Sequence, residues 1–203
     1  MFHRNSLFLV AILLLSILLW GCPKKIVKIP PVETPRVKNP VAMLLEAFSD
    51  AENFESRASI RIDTVKDDKE MNLLLNGYVL FQKPDKLRVL GYHPLGMGLF
   101  DALYLNGHFF LLSPLEKRAY TGQVSDFEEL IEKVGIQIST EKTMGSRIPT
   151  IIRIGVEEKK TRIDLKLKEI SMNGSLPEDA FQWFIPEGVD VRSLAQLIRD
   201  KKL

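Results

Sequence analysis

The sequence predicts a mainly β fold of the α+β class: a strongly curved antiparallel sheet forming an incomplete barrel, with helices on its concave side. Three observations predict it. Between Ala58 and Met172 apolar and polar residues alternate in run after run, at the period of two that half-buried strands require. Short turn sequences join the runs, and short turns force neighbouring strands to pair antiparallel. Apolar stripes at helical spacing occur only near Val41–Asn53, Ser125–Gly135 and Val191–Lys202.

The elements follow in order. Asn39-Pro40 reads as an N-cap with proline at the first helical position. Leu44, Phe48 and Ala51 then recur at helical spacing, which predicts an amphipathic helix over Val41–Asn53. Ala58, Ile60 and Ile62 alternate with Ser59, Arg61 and Asp63 as a strand, and Lys66-Asp67-Asp68-Lys69 is a charged turn. A longer strand over Met71–Gln82 carries Leu73, Leu75, Val79 and Phe81 on one face. Lys83-Pro84-Asp85-Lys86 turns into a strand over Leu87–Tyr92, and His93–Gly98 breaks the pattern. Strands resume over Leu99–Leu105 and His108–Ser113 around Asn106-Gly107, a strong hairpin signal. Pro114-Leu115-Glu116-Lys117 turns into Arg118–Gly122.

Ser125 with Glu128 has the spacing of a capping box, and Phe127, Leu130, Ile131 and Val134 form the stripe of a short helix ending at Gly135. Strands follow over Thr150–Val156 and Thr161–Met172, and another near Gln182–Ile185. An amphipathic helix over Val191–Lys202, using Leu194, Leu197 and Ile198, closes the chain.

The start of the chain is of another kind. After a short polar opening with Arg4, an apolar run extends from Leu7 to Trp20, interrupted by Ser16. As a helix it would rise about 21 Å, short of the roughly 30 Å hydrocarbon core, which fits a cleaved leader better than a permanent span. Leu19-Trp20-Gly21-Cys22 resembles the lipobox of bacterial lipoproteins, with Trp20 where a smaller residue is commoner. Residues 1–21 are therefore expected to be a signal peptide, and Cys22 the lipidation site, because a thiol is the nucleophile that takes the diacylglyceryl group. Cys22 is the only cysteine, so no disulfide forms within the chain. Several acyl chains on one residue suffice for stable attachment.

Residues 22–40 read as a tether. Pro23, Pro30, Pro31, Pro35 and Pro40 favour an extended backbone, and Lys24, Lys25, Lys28, Arg36 and Lys38 stand against Glu33 alone. That charge serves either solubility or contact with anionic headgroups. Residues 41–203 form the folded domain, in which 22 basic residues face 25 acidic ones, a balance that argues against a nucleic-acid partner. Lys24 stands two positions after the lipidated cysteine, and the absence of an acidic residue following that cysteine points to the outer membrane.

Gly77-Tyr78-Val79-Leu80-Phe81, Pro84-Asp85-Lys86-Leu87-Arg88, Pro94-Leu95-Gly96, Leu176-Pro177, Phe181 and Ile185-Pro186-Glu187-Gly188 are together similar to motifs of the LolA/LolB family of lipoprotein carriers. The anchor makes the chain resemble LolB, the outer-membrane lipoprotein receptor, more than the soluble LolA. The resemblance implies a half-barrel enclosing an apolar cavity for acyl chains, and a protruding loop whose leucine meets the membrane. It implies as partners the membrane, lipoprotein acyl chains and a periplasmic carrier protein, and a place on the periplasmic side of the outer membrane. On this resemblance Leu95 falls in the loop, with Met97 beside it. The makeup of His93–Gly98 excludes regular structure, so the two apolar side chains either face water or fold back over the end of the sheet. Phe48, Phe81, Tyr104 and Phe110 are either core or the lining of an acyl cavity. The long tether departs from the LolB pattern and leaves a second reading, a structural or assembly lipoprotein that docks a protein partner in the envelope.

No catalytic, cofactor or metal set is expected. His93 and His108 lack companions at metal spacing, His3 leaves with the leader, and no Gly-x-Ser-x-Gly or phosphate-loop motif occurs. Glu128-Glu129 and Glu157-Glu158 read as solvated acidic pairs.

Overall fold

The computed structural model describes residues 40–66, 68–126, 135–157, 160–194 and 196. The expected signal peptide, Cys22, the tether, the helical stripe Phe127–Val134 and the closing helix beyond Gln196 lie outside the described residues.

Helix α1 spans Pro40–Ala47, shorter than its apolar stripe suggested. Its last turn tightens as Phe48 donates to the Leu44 carbonyl at 3.1 Å and Ser49 to that of Glu46 at 3.0 Å. Ser49 and Asp50 favour turns over helix interiors, so the chain turns there. Strand β1 then runs from Asn53 to Lys66, starting well before the alternation was legible. A serine in the apolar row hid it: Ser56 faces the core with Phe54, Ala58 and Ile60. Its hydroxyl lies 2.8 Å from the Lys168 carbonyl and accepts the Lys168 N–H at 3.2 Å, which satisfies the buried group.

The other strands are β2 Lys69–Gln82, β3 Lys86–Tyr92, β4 Gly98–Leu105, β5 His108–Ser113, β6 Arg118–Gln123, β7 Ile136–Glu141, β8 Ile151–Val156, β9 Thr161–Met172 and β10 Asp190–Ser193. They form one ten-stranded sheet in the order β10-β6-β5-β4-β3-β2-β1-β9-β8-β7. Every pairing is antiparallel except β10 with β6. The sheet does not close into a barrel; β10 and β7 are its edges. Of the helices expected against it, α1 is described, and Leu44 and Leu45 pack on the core. Asn106 and Gly107 both take positive φ, 49° and 80°, as a tight hairpin turn requires.

Three sequence expectations are corrected. Strand β7 was not anticipated, since Ile136-Gln137-Ile138-Ser139-Thr140-Glu141 alternates over too few apolar positions to stand out. Asp190–Ser193 is a strand beside β6, not the start of the closing helix. Gln182–Ile185 is irregular, because its neighbourhood is held by a side chain instead of a ladder: Arg88 donates to the carbonyls of Ala180 at 2.9 Å and Gln182 at 3.3 Å. A fourth difference is small. Helical structure begins at Val124, and the Asp126 carboxylate accepts the Gln123 N–H at 2.9 Å, while Glu128 lies outside the described residues.

The sheet carries a core on each face. On one, Phe48, Phe54 and Phe81 form a fully buried nucleus with Ile60, Leu75 and Val79. On the other, over β3–β6, Leu103, Leu112 and Ala119 are buried along with Ala180, and Trp183 lies 5.3 Å from Phe110.

Candidate functional site

The loop between β3 and β4 is small and tied. The His93 N–H donates to the Met97 carbonyl at 2.8 Å, Gly96 donates to the His93 carbonyl at 2.7 Å, and the Leu95 N–H lies 3.3 Å from His93 Nδ1. Pro94 fixes φ ahead of the apex, and Gly96 takes φ 89°, which side chains other than glycine rarely adopt. The result presents Leu95 to solvent at 89% exposure and Met97 at 50%. Neither side chain folds back over the sheet.

The foot of the loop is anchored in the core. Phe100, two residues into β4, pairs with Gly91 of β3 and packs against the hydrophobic core. On that same face, register places Leu73, Ile62, Ile163, Ile154 and Ile138 side by side across β2, β1, β9, β8 and β7. Five strands at about 4.8 Å spacing make an apolar row roughly 19 Å long. Its isoleucines are half-buried and Leu73 is 41% exposed. The chain leaves β3 at Tyr92, opposite Asn76, so the loop emerges at the Leu73 end of this row.

Sequence reasoning missed the row. Each isoleucine was visible in its own strand, but only the pairing of β1 with β9 brings residues a hundred positions apart onto one line. The four aromatic residues singled out beforehand do not share one space. Phe48 and Phe81 are fully buried, with ring centroids 5.5 Å apart, and Phe54 is 5.0 and 5.4 Å from them. Tyr104 leans on Phe109 at 5.7 Å, and Phe110 lies on the reverse face against Trp183. Cys22 is outside the described residues.

A cleft of about 640 Å³ opens at the other end of the sheet, among Asn53, Gln82, Lys86, Asn106, Glu178 and Phe181. Lys86 Nζ lies 5.7 Å from the Phe181 ring centre. This lining is mostly polar and unlike a wall for acyl chains. On the reverse face Arg88 meets both Asp101 oxygens, at 3.0 and 2.7 Å. That hydrogen bonding raises the Arg88 pKa against the opposing effect of burial. Among the described residues, no group of three His, Cys, Asp or Glu side chains is placed to hold a metal ion.

No family model and no curated protein matches the sequence. Solved structures do show similarity. An uncharacterized conserved protein from Thermus thermophilus aligns over 74% of this chain and 97% of its own, with 12% identity and a TM-score of 0.42. A LolA superfamily protein from Nitrosomonas europaea aligns over 70% and 96%, with 11% identity and a TM-score of 0.39. A putative outer membrane lipoprotein-sorting protein domain from Vibrio parahaemolyticus aligns over 70% and 94%, with 11% identity and a TM-score of 0.37. At this identity and overlap none of them assigns the chain a family.

Proposed function

We propose that this chain is a non-enzymatic lipoprotein, held at the periplasmic side of the outer membrane by an acylated Cys22, with a LolB-like part in placing lipoproteins in that membrane. The observation that carries the reading is Leu95, standing 89% exposed on a loop tied by its own hydrogen bonds. A leucine moved from water into hydrocarbon gains about 1.5 to 3 kcal/mol. A fixed loop spends little conformational entropy in delivering it.

The apolar row supplies the other half of the task. A cargo acyl chain laid along Leu73, Ile62, Ile163, Ile154 and Ile138 leaves water at a gain of about 0.8 kcal/mol per methylene. Transfer then needs only that the bilayer bury the chain better than the row does. Leu95, at the end of the row, brings the two together. The cargo would arrive from a periplasmic carrier protein.

The test is delivery of a fluorescent lipoprotein to liposomes. Leu95→Glu should leave the circular dichroism spectrum unchanged and slow delivery by at least about tenfold, as a loss above 1.4 kcal/mol requires. Delivery at the native rate removes the loop from the mechanism. Labelled palmitate should appear on the native chain and not on Cys22→Ser.

A further inference from the structure

The cleft at the end of the sheet away from Leu95 has a floor and a wall of different origin. Register sets Asn53, Gln82, Lys86 and Leu105 side by side across β1, β2, β3 and β4 as the floor. At about 4.8 Å per strand this row is roughly 14 Å long. The chain after β9 crosses it from Gly174 to Gln182 and makes the opposite wall of the 640 Å³ space.

The wall is fixed by its backbone. The Asn173 N–H donates to the Asn53 carbonyl at 2.9 Å, and Asn173 Oδ1 accepts the Glu52 N–H at 2.9 Å. Farther along, the Ala180 N–H donates to the Pro177 carbonyl at 3.0 Å, and Arg88 holds the Ala180 and Gln182 carbonyls. The side chains that line the space are engaged far less. Asn53 Oδ1 is buried and accepts no hydrogen bond. Among the described residues nothing pairs with the side-chain amides of Gln82 and Asn106 or with the Glu178 carboxylate, and Lys86 meets only the Phe181 ring. Buried polar groups are as a rule paired. An orphan acceptor beside unengaged amides, in a space whose walls are already held, is suited to a ligand that brings its own hydrogen-bonding groups.

The lining selects among ligands. A phosphate finds one cation, Lys86, set against one carboxylate, Glu178. A peptide strand finds no free ladder, because each residue of the floor has a backbone neighbour on both sides. An uncharged ligand rich in hydroxyls fits both conditions. A carboxamide offers a carbonyl and N–H donors side by side, which match two neighbouring hydroxyls that each donate and accept. Phe181, Leu176 and Pro177 add apolar surface, and the C–H face of a sugar ring sits well on the negative face of an aromatic ring.

We propose that this cleft binds a neutral saccharide, its hydroxyls on the carboxamides of Asn53, Gln82 and Asn106 and a ring face against Phe181. The row is long enough for more than one sugar, so the ligand is a segment of a glycan chain.

The experiment titrates the full chain, in a detergent without a sugar headgroup, with a tetramer of N-acetylglucosamine and with a tetramer of glucose. At least one should bind saturably, and the preference between them shows whether the site takes acetylated sugars. Asn53→Ala and Gln82→Ala should each weaken binding by at least about tenfold. Stability separates a ligand role from a structural one. Asn53→Ala removes an acceptor that has no donor, so the denaturant midpoint of the free chain should not fall. The saccharide should raise the midpoint of the native chain and leave that of Asn53→Ala where it is. Leu95→Glu, at the other end of the sheet, should bind the saccharide as the native chain does, so the cleft and the loop are tested apart. Neither tetramer binding, binding indifferent to both substitutions, or displacement of the bound tetramer by inorganic phosphate or trialanine as readily as by the same sugar would each overturn the proposal.

Discussion

Phe100 lies against Gly91 across the β3–β4 pair, so close that a β-carbon on residue 91 would come 2.2 Å from Phe100 Cε1. The pairing register shifts directly after Gly91, at Tyr92, where the chain departs into the loop. The absence of one methyl group thus lets the aromatic ring anchor the foot of the segment that displays Leu95.

Gly91→Ala should force that ring aside. Overpacking at such a site costs about 1 to 3 kcal/mol, readable as a lower denaturant midpoint. Amide exchange over His93–Gly98 should quicken as the loop loses its anchor. An unchanged midpoint with unchanged exchange would mean the ring has another place to go.

Arg88 and Asp101 tie the irregular segment to the reverse face, with side-chain exposures of only 15% and 12%. Asp101→Ala leaves a half-buried guanidinium without its carboxylate and should cost up to about 3 to 5 kcal/mol. The double change Arg88→Met with Asp101→Leu should cost less, because both charges are gone. In both variants the carbonyls of Ala180 and Gln182 lose or loosen their donor, so hydrogen exchange over Asp179–Trp183 should rise. Equal stability of Asp101→Ala and the native chain would show that the pair holds nothing in place.

Tyr92 should give up its phenolic proton above its ordinary 10.0, first because burial disfavours the phenolate, then because the charge and hydrogen bond of the neighbouring Tyr78 hydroxyl disfavour it too, against the opposing pull of Arg57. A raised folded value means the unfolded chain loses the proton first. The contribution to stability is therefore whole below the ordinary value and is lost as pH climbs through the raised one. Absorbance titration should place Tyr92 later than a free tyrosine, and nearer to it in Tyr78→Phe. Titration at or below the ordinary value would remove both burial and the Tyr78 hydroxyl as causes.

Much of the fold was legible because turns and strands are local signals. Asn106-Gly107, Lys66–Lys69 and Pro114–Lys117 each sit where two strands meet, and their chemistry says so without help from the rest of the chain. Where a polar residue is buried through a distant partner, the local signal fails. Ser56 puts a polar residue in the apolar row of β1 and is satisfied only by Lys168, far along the chain, and Gln182 looked like strand until Arg88 took its carbonyl. The candidate site divides in the same way. The exposure of Leu95 follows from Pro94 and Gly96 beside it. The apolar row does not follow from any stretch of sequence, because Ile62 and Ile163 become neighbours only through the pairing of β1 with β9.

The measurement closest to the central claim is the binding of a fluorescent fatty acid to the detergent-free protein, followed by its displacement with palmitate. The account predicts saturable, displaceable fluorescence that Ile154→Ser weakens by about tenfold while Lys86→Ala, in the polar cleft, leaves it alone. Fluorescence that never rises above that of the probe in water, or that falls with Lys86→Ala and not with Ile154→Ser, would contradict it.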